Sequence, residues 1–208
     1  MAVVVDFVIV DWRVIRWIGW DLREVVASAT VLAFAIAASE LRDGESFGFR
    51  WTPQQNWQYW IKLTLFVGVI LGSVLLVYFG VAFGLMGSSL PAPLIRSESQ
   101  FLSMFLWMCV AAPIYEEIVY RLAFTSTAAA WCGPRAAIVL GGVLFAGAHV
   151  WRGNPSPENL LGGFILSWAY LKSGTIVVPI ALHSLGNFCA YLMQVGYFLR
   201  VGPYGESW

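Results

Sequence analysis

Long apolar runs separated by short polar stretches account for most of the chain. Residues 60–86 carry a single charge, Lys62, and predict the plainest membrane-spanning helix. A shorter apolar run at residues 25–39 predicts another membrane helix. Before it, residues 1–20 mix Val and Ile with Trp, Asp and Arg, which predicts a segment that lies in the membrane interface.

The second half of the chain repeats the same pattern, with Gly and Pro between the apolar runs. These runs lie at residues 101–131, 136–150, 160–171 and 176–195, and Gly133-Pro134 ends the first of them. The run at 160–171 is short for a hydrocarbon core of about 30 Å, so its helix is tilted, extended by its flanks or re-entrant. The pattern therefore predicts an all-α, polytopic transmembrane helix bundle of about six membrane helices plus the N-terminal interfacial segment. We expect one integral membrane domain over 1–208, with N-terminal helices in 1–99 and a core in 100–195 that carries the motifs described below.

Composition supports a membrane protein and gives no sign of nucleic-acid binding. Hydrophobic residues make up 59% of the chain, charged residues 12%, and the mean hydropathy is +0.72. The 12 basic and 12 acidic residues cancel, so no net charge attracts a polyanion. The three cysteines show neither the CxxC spacing of a redox or zinc site nor a paired framework. The expected surroundings are the lipid bilayer.

One apolar helix carries three ionisable residues, Glu116, Glu117 and Arg121. Each costs about 2.5–3.5 kcal/mol at the centre of a bilayer, so they must be paired or hydrated. Glu117 and Arg121 stand four residues apart and can form an ion pair, which favours a structural role for them. Glu116 points about 100° away around the helix, where the spacing provides no local cation. A carboxylate of this kind suits a general base that takes a proton from water.

Both histidines of the chain lie in predicted membrane helices. Phe145 and His149 share one helical face, as do His183 and Asn187. Three helices could hold Glu116, His149, His183 and Asn187 around one water pocket, which would supply a base and donors for an oxyanion. Glu116, His149 and His183 also form a plausible zinc ligand set. The structural alternative for each His, and for Asn187, is a hydrogen bond between helices.

Pro113 precedes this group of acids by three residues. Because proline lacks an N–H, it should release the carbonyl of Cys109 and bend the helix. A bend at this point can admit water beside the carboxylates.

Read in order, the three motifs Glu116-Glu117-x-x-x-Arg121, Phe145-x-x-x-His149 and His183-x-x-x-Asn187 resemble the CAAX protease and bacteriocin-processing family. These intramembrane proteases are also called the abortive-infection family. Ala112-Pro113-Ile114 and Val178-Pro179-Ile180 look similar to that family's context as well. The resemblance covers about residues 100–195. Leu122 departs from the pattern, since a glycine often follows the motif arginine there.

The resemblance implies an intramembrane endopeptidase in which Glu116 and His149 activate water. His183 and Asn187 would stabilise the oxyanion or help to hold a zinc ion, while Glu117, Arg121 and Phe145 would support the site. Implied substrates are membrane-associated proteins or peptides, which are prenylated CAAX proteins for eukaryotic members, and the implied location is a prokaryotic plasma membrane, crossed several times. Two other functions stay open: a haem protein with His149 and His183 as axial ligands, and a non-proteolytic immunity protein or ion-coupled transporter.

Overall fold

A computed structural model of the protein describes residues 51–84 and 95–202, and these residues are almost wholly helical. The helices are α1 (Trp57–Gly84), α2 (Phe101–Leu106), α3 (Ala112–Glu117), α4 (Ser126–Trp151), α5 (Pro157–Ser173) and α6 (Val177–Val201). A 3₁₀ turn at Glu98–Gln100 precedes α2. The π-helical segments Trp107–Ala111 and Ile118–Thr125 join α2 to α3 and α3 to α4. The all-α prediction is confirmed for the described part of the chain.

Most predicted helix positions agree with the structure. The run at 60–86 corresponds to α1, the short run at 160–171 lengthens to α5, and the run at 176–195 becomes α6. Gly133, predicted as a helix end, has φ 83° and ψ 165° and breaks the helical path inside α4. The interfacial segment and the helix at 25–39 lie outside the described residues, so the count of six membrane helices stays a prediction.

Two helical stretches are long and apolar enough to cross a membrane, Trp57–Val74 and Glu98–Trp151. Only 6% of the first stretch is buried inside the protein, and large side chains such as Leu65, Phe66 and Val69 are more than 60% exposed. The core helix of a soluble protein would bury such residues, whereas a lipid-facing helix exposes them. Together with the apolar composition, α1 therefore indicates a membrane protein.

The described residues fall into two compact units. Unit A comprises residues 51–57 and Ile114–Ala181, and unit B comprises Gln58–Pro113 and residues 182–202. Unit A contains α4, α5 and the π segment Ile118–Thr125, while unit B contains most of α1, α2, the π segment Trp107–Ala111 and most of α6.

In unit A, small residues bring α4 and α5 close together. A Cβ added to Gly163 of α5 would lie 2.8 Å from the Cβ of Phe145 and 2.9 Å from the carbonyl oxygen of Gly142. A Cβ added to Gly141 would lie 2.6 Å from the hydroxyl of Ser167. The two helix backbones therefore pack at a distance that only glycine permits. Leu122, the departure from the family pattern, is buried against Tyr170 of α5.

In unit B, aromatic side chains connect α2 to α6, and early residues of α2 meet late residues of α6. Phe101 packs edge-on against Phe198 with ring centroids 5.5 Å apart, and Phe105 meets Phe188 at 6.1 Å. The hydroxyl of Tyr191 also donates to the carbonyl of Phe101 at 3.1 Å. These contacts make α2 and α6 an antiparallel pair.

Candidate active site

Glu117 and Arg121 form the ion pair that their spacing predicts. Arg121 Nε lies 3.1 Å from Glu117 Oε2, and both side chains are completely buried. Arg121 Nη2 also donates to the carbonyl of Gly163 on α5 at 3.4 Å. The arginine therefore connects the π segment Ile118–Thr125 to α5, at the glycine that packs against Gly142 and Phe145 of α4.

Phe145 links the arginine to the first histidine. The Arg121 guanidinium carbon lies 4.5 Å from the centroid of the Phe145 ring, within the range of a cation–π interaction. The centroid of the Phe145 ring also lies 4.3 Å from that of the His149 ring and 5.3 Å from that of the Tyr120 ring, which it meets edge-on. The residues of two separate sequence motifs thus form one stack, Arg121–Phe145–His149, which we call the cation–aromatic stack.

His149 is held by its own helix. Its Nδ1 lies 3.0 Å from the carbonyl oxygen of Phe145, and the side chain is only 9% exposed. Because a carbonyl can only accept, Nδ1 must be the donor in this hydrogen bond. In the neutral imidazole the other nitrogen, Nε2, then carries the lone pair. His149 can therefore accept a proton or bind a metal through Nε2.

Glu116 is half-buried, next to the fully buried Glu117. The ion pair of Arg121 is with Glu117, as the spacing of four residues predicts. Arg121 lies in the π segment Ile118–Thr125, which begins directly after Glu117.

Side-chain hydroxyls stabilise the exit from this π segment. Ser126 N–H donates to the carbonyl of Arg121, five residues back, so the return to α-helical spacing skips the carbonyl of Leu122. The Ser126 hydroxyl donates to that carbonyl, and the Thr125 hydroxyl donates to the carbonyl of Tyr120 at 2.7 Å. The two hydroxyls therefore donate hydrogen bonds to backbone carbonyls that lipid could not satisfy.

His183 and Asn187 lie on α6, within unit B. His183 is 8% exposed, whereas Asn187 is half-buried. Asn187 Nδ2 donates to the carbonyl oxygen of Met108 at 2.7 Å, in the π segment Trp107–Ala111. Asn187 thus makes a hydrogen bond between helices, and its catalytic role stays a prediction. One amide N–H and the amide oxygen of Asn187 remain for other partners.

Sequence patterns did not identify two groups that the structure places beside these residues. Gly163 receives the Arg121 hydrogen bond, and its only signal is the Gly162-Gly163 pair in the short apolar run. The carbonyl of Met108 receives the Asn187 amide, and a backbone atom leaves no residue-type signal at all. In both cases the partner is main chain.

Each unit carries part of the predicted site. Glu116, Glu117, Arg121, Phe145 and His149 belong to unit A, and His183 and Asn187 belong to unit B. That Glu116, His149, His183 and Asn187 meet at one water pocket stays a prediction. No group of three or more His, Cys, Asp or Glu side chains in the described ranges is arranged to hold a metal ion. Zinc binding by Glu116, His149 and His183 likewise stays a prediction.

Comparison with known proteins finds a match to one described family for the second half of the chain. Residues 98–189 match the family described as "Type II CAAX prenyl endopeptidase Rce1-like". No curated protein and no solved structure matches the chain significantly. The matched region begins at the turn before α2 and ends inside α6, so it contains all three motifs.

Proposed function

Because residues 98–189 match the type II CAAX prenyl endopeptidase family, we propose that the protein hydrolyses a peptide bond of a membrane-associated protein or peptide. The substrate class is a CAAX-like C-terminus or a bacteriocin or leader peptide. The protein would work as a multi-pass enzyme of a prokaryotic plasma membrane. The match to this family supports peptide hydrolysis in a membrane, and the roles of individual residues are our proposal.

The cation–aromatic stack is the observation that carries the proposal. In this stack Phe145 lies between Arg121 and His149, and Arg121 is paired with Glu117, the neighbour of Glu116. A buried ion pair is costly in a membrane, and here its arginine also contacts the ring that packs on His149. An arrangement of this kind is expected where a carboxylate and an imidazole must be held ready for reaction.

The reaction can be written with this chain's own groups. The Glu116 carboxylate accepts a proton from water, and His149 Nε2 accepts a hydrogen bond from the same water and orients it. The resulting hydroxide attacks the scissile carbonyl carbon. His183 and the second amide N–H of Asn187 donate to the developing oxyanion. The tetrahedral intermediate then expels the amine, which takes the proton from Glu116. No step of this scheme passes through a metal ion.

Replacing the proposed base tests the function. We expect Glu116→Gln to lower turnover by about 10²–10⁴-fold, since the amide keeps the shape of the side chain but cannot take a proton. The measurement is cleavage of a prenylated CAAX peptide, and of a matched peptide without the prenyl group, by the purified protein in lipid vesicles.

Glu98→Gln is the matched control, because Glu98 is an exposed acid at the start of the same helical stretch and lies outside the proposed machinery. Its turnover should equal that of the unmodified protein. Unchanged turnover in Glu116→Gln would exclude Glu116 as the base. Cleavage of only one of the two peptides decides whether the prenyl group is required.

A further inference from the structure

The carbonyl of Met108 has lost its donor within the helix. In the π segment Trp107–Ala111, the N–H of Ala112 donates to the carbonyl of Trp107, five residues back. In the same register, the donor for Met108 would be residue 113. That residue is Pro113, which has no N–H. The sequence expectation, based on α-helical spacing, placed the released carbonyl at Cys109.

A side chain from another helix supplies the missing donor. Asn187 Nδ2 lies 2.7 Å from the Met108 oxygen, and both residues belong to unit B, as does Pro113. Without water, a backbone carbonyl that lacks a donor is costly, so this bond is retained strongly in a membrane segment. Since the carbonyl can only accept, the bond also determines which end of the amide faces Met108.

We propose that Pro113 and the π segment act as a positioning device for Asn187. The freed carbonyl of Met108 holds one N–H of the amide. The second N–H and Oδ1 of the half-buried side chain are thereby aimed in a fixed direction. What the aimed amide then does, donation to an oxyanion, rests on the proposed function. Pro113 and Met108 are positioning residues, and Met108 acts through its backbone alone.

Carbonyl NMR detects the bond without reference to activity. Met108–Cys109 is the only Met–Cys step in the sequence, so ¹³C-carbonyl methionine with ¹⁵N-cysteine yields one correlated signal, from the Met108 carbonyl. We expect Asn187→Ala to shift the ¹³C resonance upfield, as loss of a donor requires. Tyr191→Phe is the matched control, because it removes another hydrogen bond between α6 and the α2 region and should leave the signal in place.

Pro113→Ala tests the origin of the freed carbonyl. Alanine restores an N–H in the helix, so the Met108 carbonyl should regain a helical donor. In this background Asn187→Ala should move the Met108 resonance much less than in the unmodified protein. An unmoved signal in Asn187→Ala, or an equal shift in both backgrounds, would overturn the proposal. Because alanine favours helix, Pro113→Ala is expected to fold, and its thermal unfolding is measured alongside.

Kinetics separate positioning from a purely structural role. If the amide is aimed at the reacting group, Pro113→Ala should lower kcat by about a hundredfold with little change in KM. A loss of stability with unchanged kcat would refute positioning. The proposed function fails separately, when Glu116→Gln still cleaves peptide, and that result leaves the NMR outcome intact.

Discussion

Arg121 connects three other residues of the candidate site and its surroundings. It pairs with Glu117, donates to Gly163 and lies over Phe145, all in complete burial. Its planar guanidinium makes these contacts at once, which the ammonium of lysine could not do. The residue therefore fixes the cation–aromatic stack, and through it His149.

Removing one partner of the ion pair should lower the free energy of unfolding more than replacing both partners with apolar residues. We expect Arg121→Met to lower the free energy of unfolding by about 3–5 kcal/mol, because Glu117 is left buried without its cation. The double variant Glu117→Met, Arg121→Met should recover much of that loss, since no buried charge remains. Unfolding in detergent, followed by circular dichroism, measures both.

Arg135→Met, at an exposed position, is the control for removal of a positive charge. Its unfolding should match that of the unmodified protein. If the double variant unfolded more easily than Arg121→Met, the pair would be a net source of stability, and our account of it would be wrong.

At the scale of elements, the two π segments are the unusual feature of the helical stretch Glu98–Trp151. Each one widens the helical spacing beside residues of the candidate site, and each leaves a carbonyl that a side chain must satisfy. Ser126 serves Leu122, and Asn187 serves Met108. π-helical turns occur frequently at functional sites. Here one of them follows Glu117 and carries Arg121, and the other accepts a hydrogen bond from Asn187.

The contact of α5 with α4 gives a test with a neighbouring control. Gly163→Ala would place a methyl group against Phe145 and Gly142, so we expect a loss of about 1–3 kcal/mol in unfolding free energy and a displaced Phe145. Gly162→Ala meets no atom within 4 Å in the described part of the protein. It should be neutral or slightly stabilising, because alanine favours helix over glycine.

Peptide cleavage by the two glycine variants completes the test. Gly163→Ala should also lower turnover, because Phe145 orients His149. Equal stability and equal turnover in the two alanine variants would show that the close approach of α4 and α5 is unimportant for the site.

At the scale of the whole molecule, non-additivity tests whether Glu116 and His183 take part in the same reaction. If Glu116 and His183 act on the same bond, the double variant Glu116→Gln, His183→Ala should lose little more turnover than the more severe single variant. Independent roles would instead multiply the two losses. The measurement is single-turnover cleavage in vesicles. As a control, Arg135→Met is combined with each single variant, and its effect should simply multiply with theirs.

The sequence alone determined the helical class, the membrane as solvent and the residues of interest. Apolar runs and their breaks predict helices because a membrane requires every backbone group to bond within its own segment. Spacing of four residues correctly predicted the Glu117–Arg121 pair. Ordered motifs also pointed to the family that the comparison found.

Only the tertiary structure decided which partners complete these motifs. Gly163, the Met108 carbonyl and the contact of Phe145 with Arg121 join segments that are far apart in the chain, and two of these partners are backbone atoms. Spacing rules for an α-helix do not describe a π segment, so they placed the carbonyl released by Pro113 at Cys109 instead of Met108. Residue types indicate what chemistry is possible, but main-chain register and packing between helices determine where each group points.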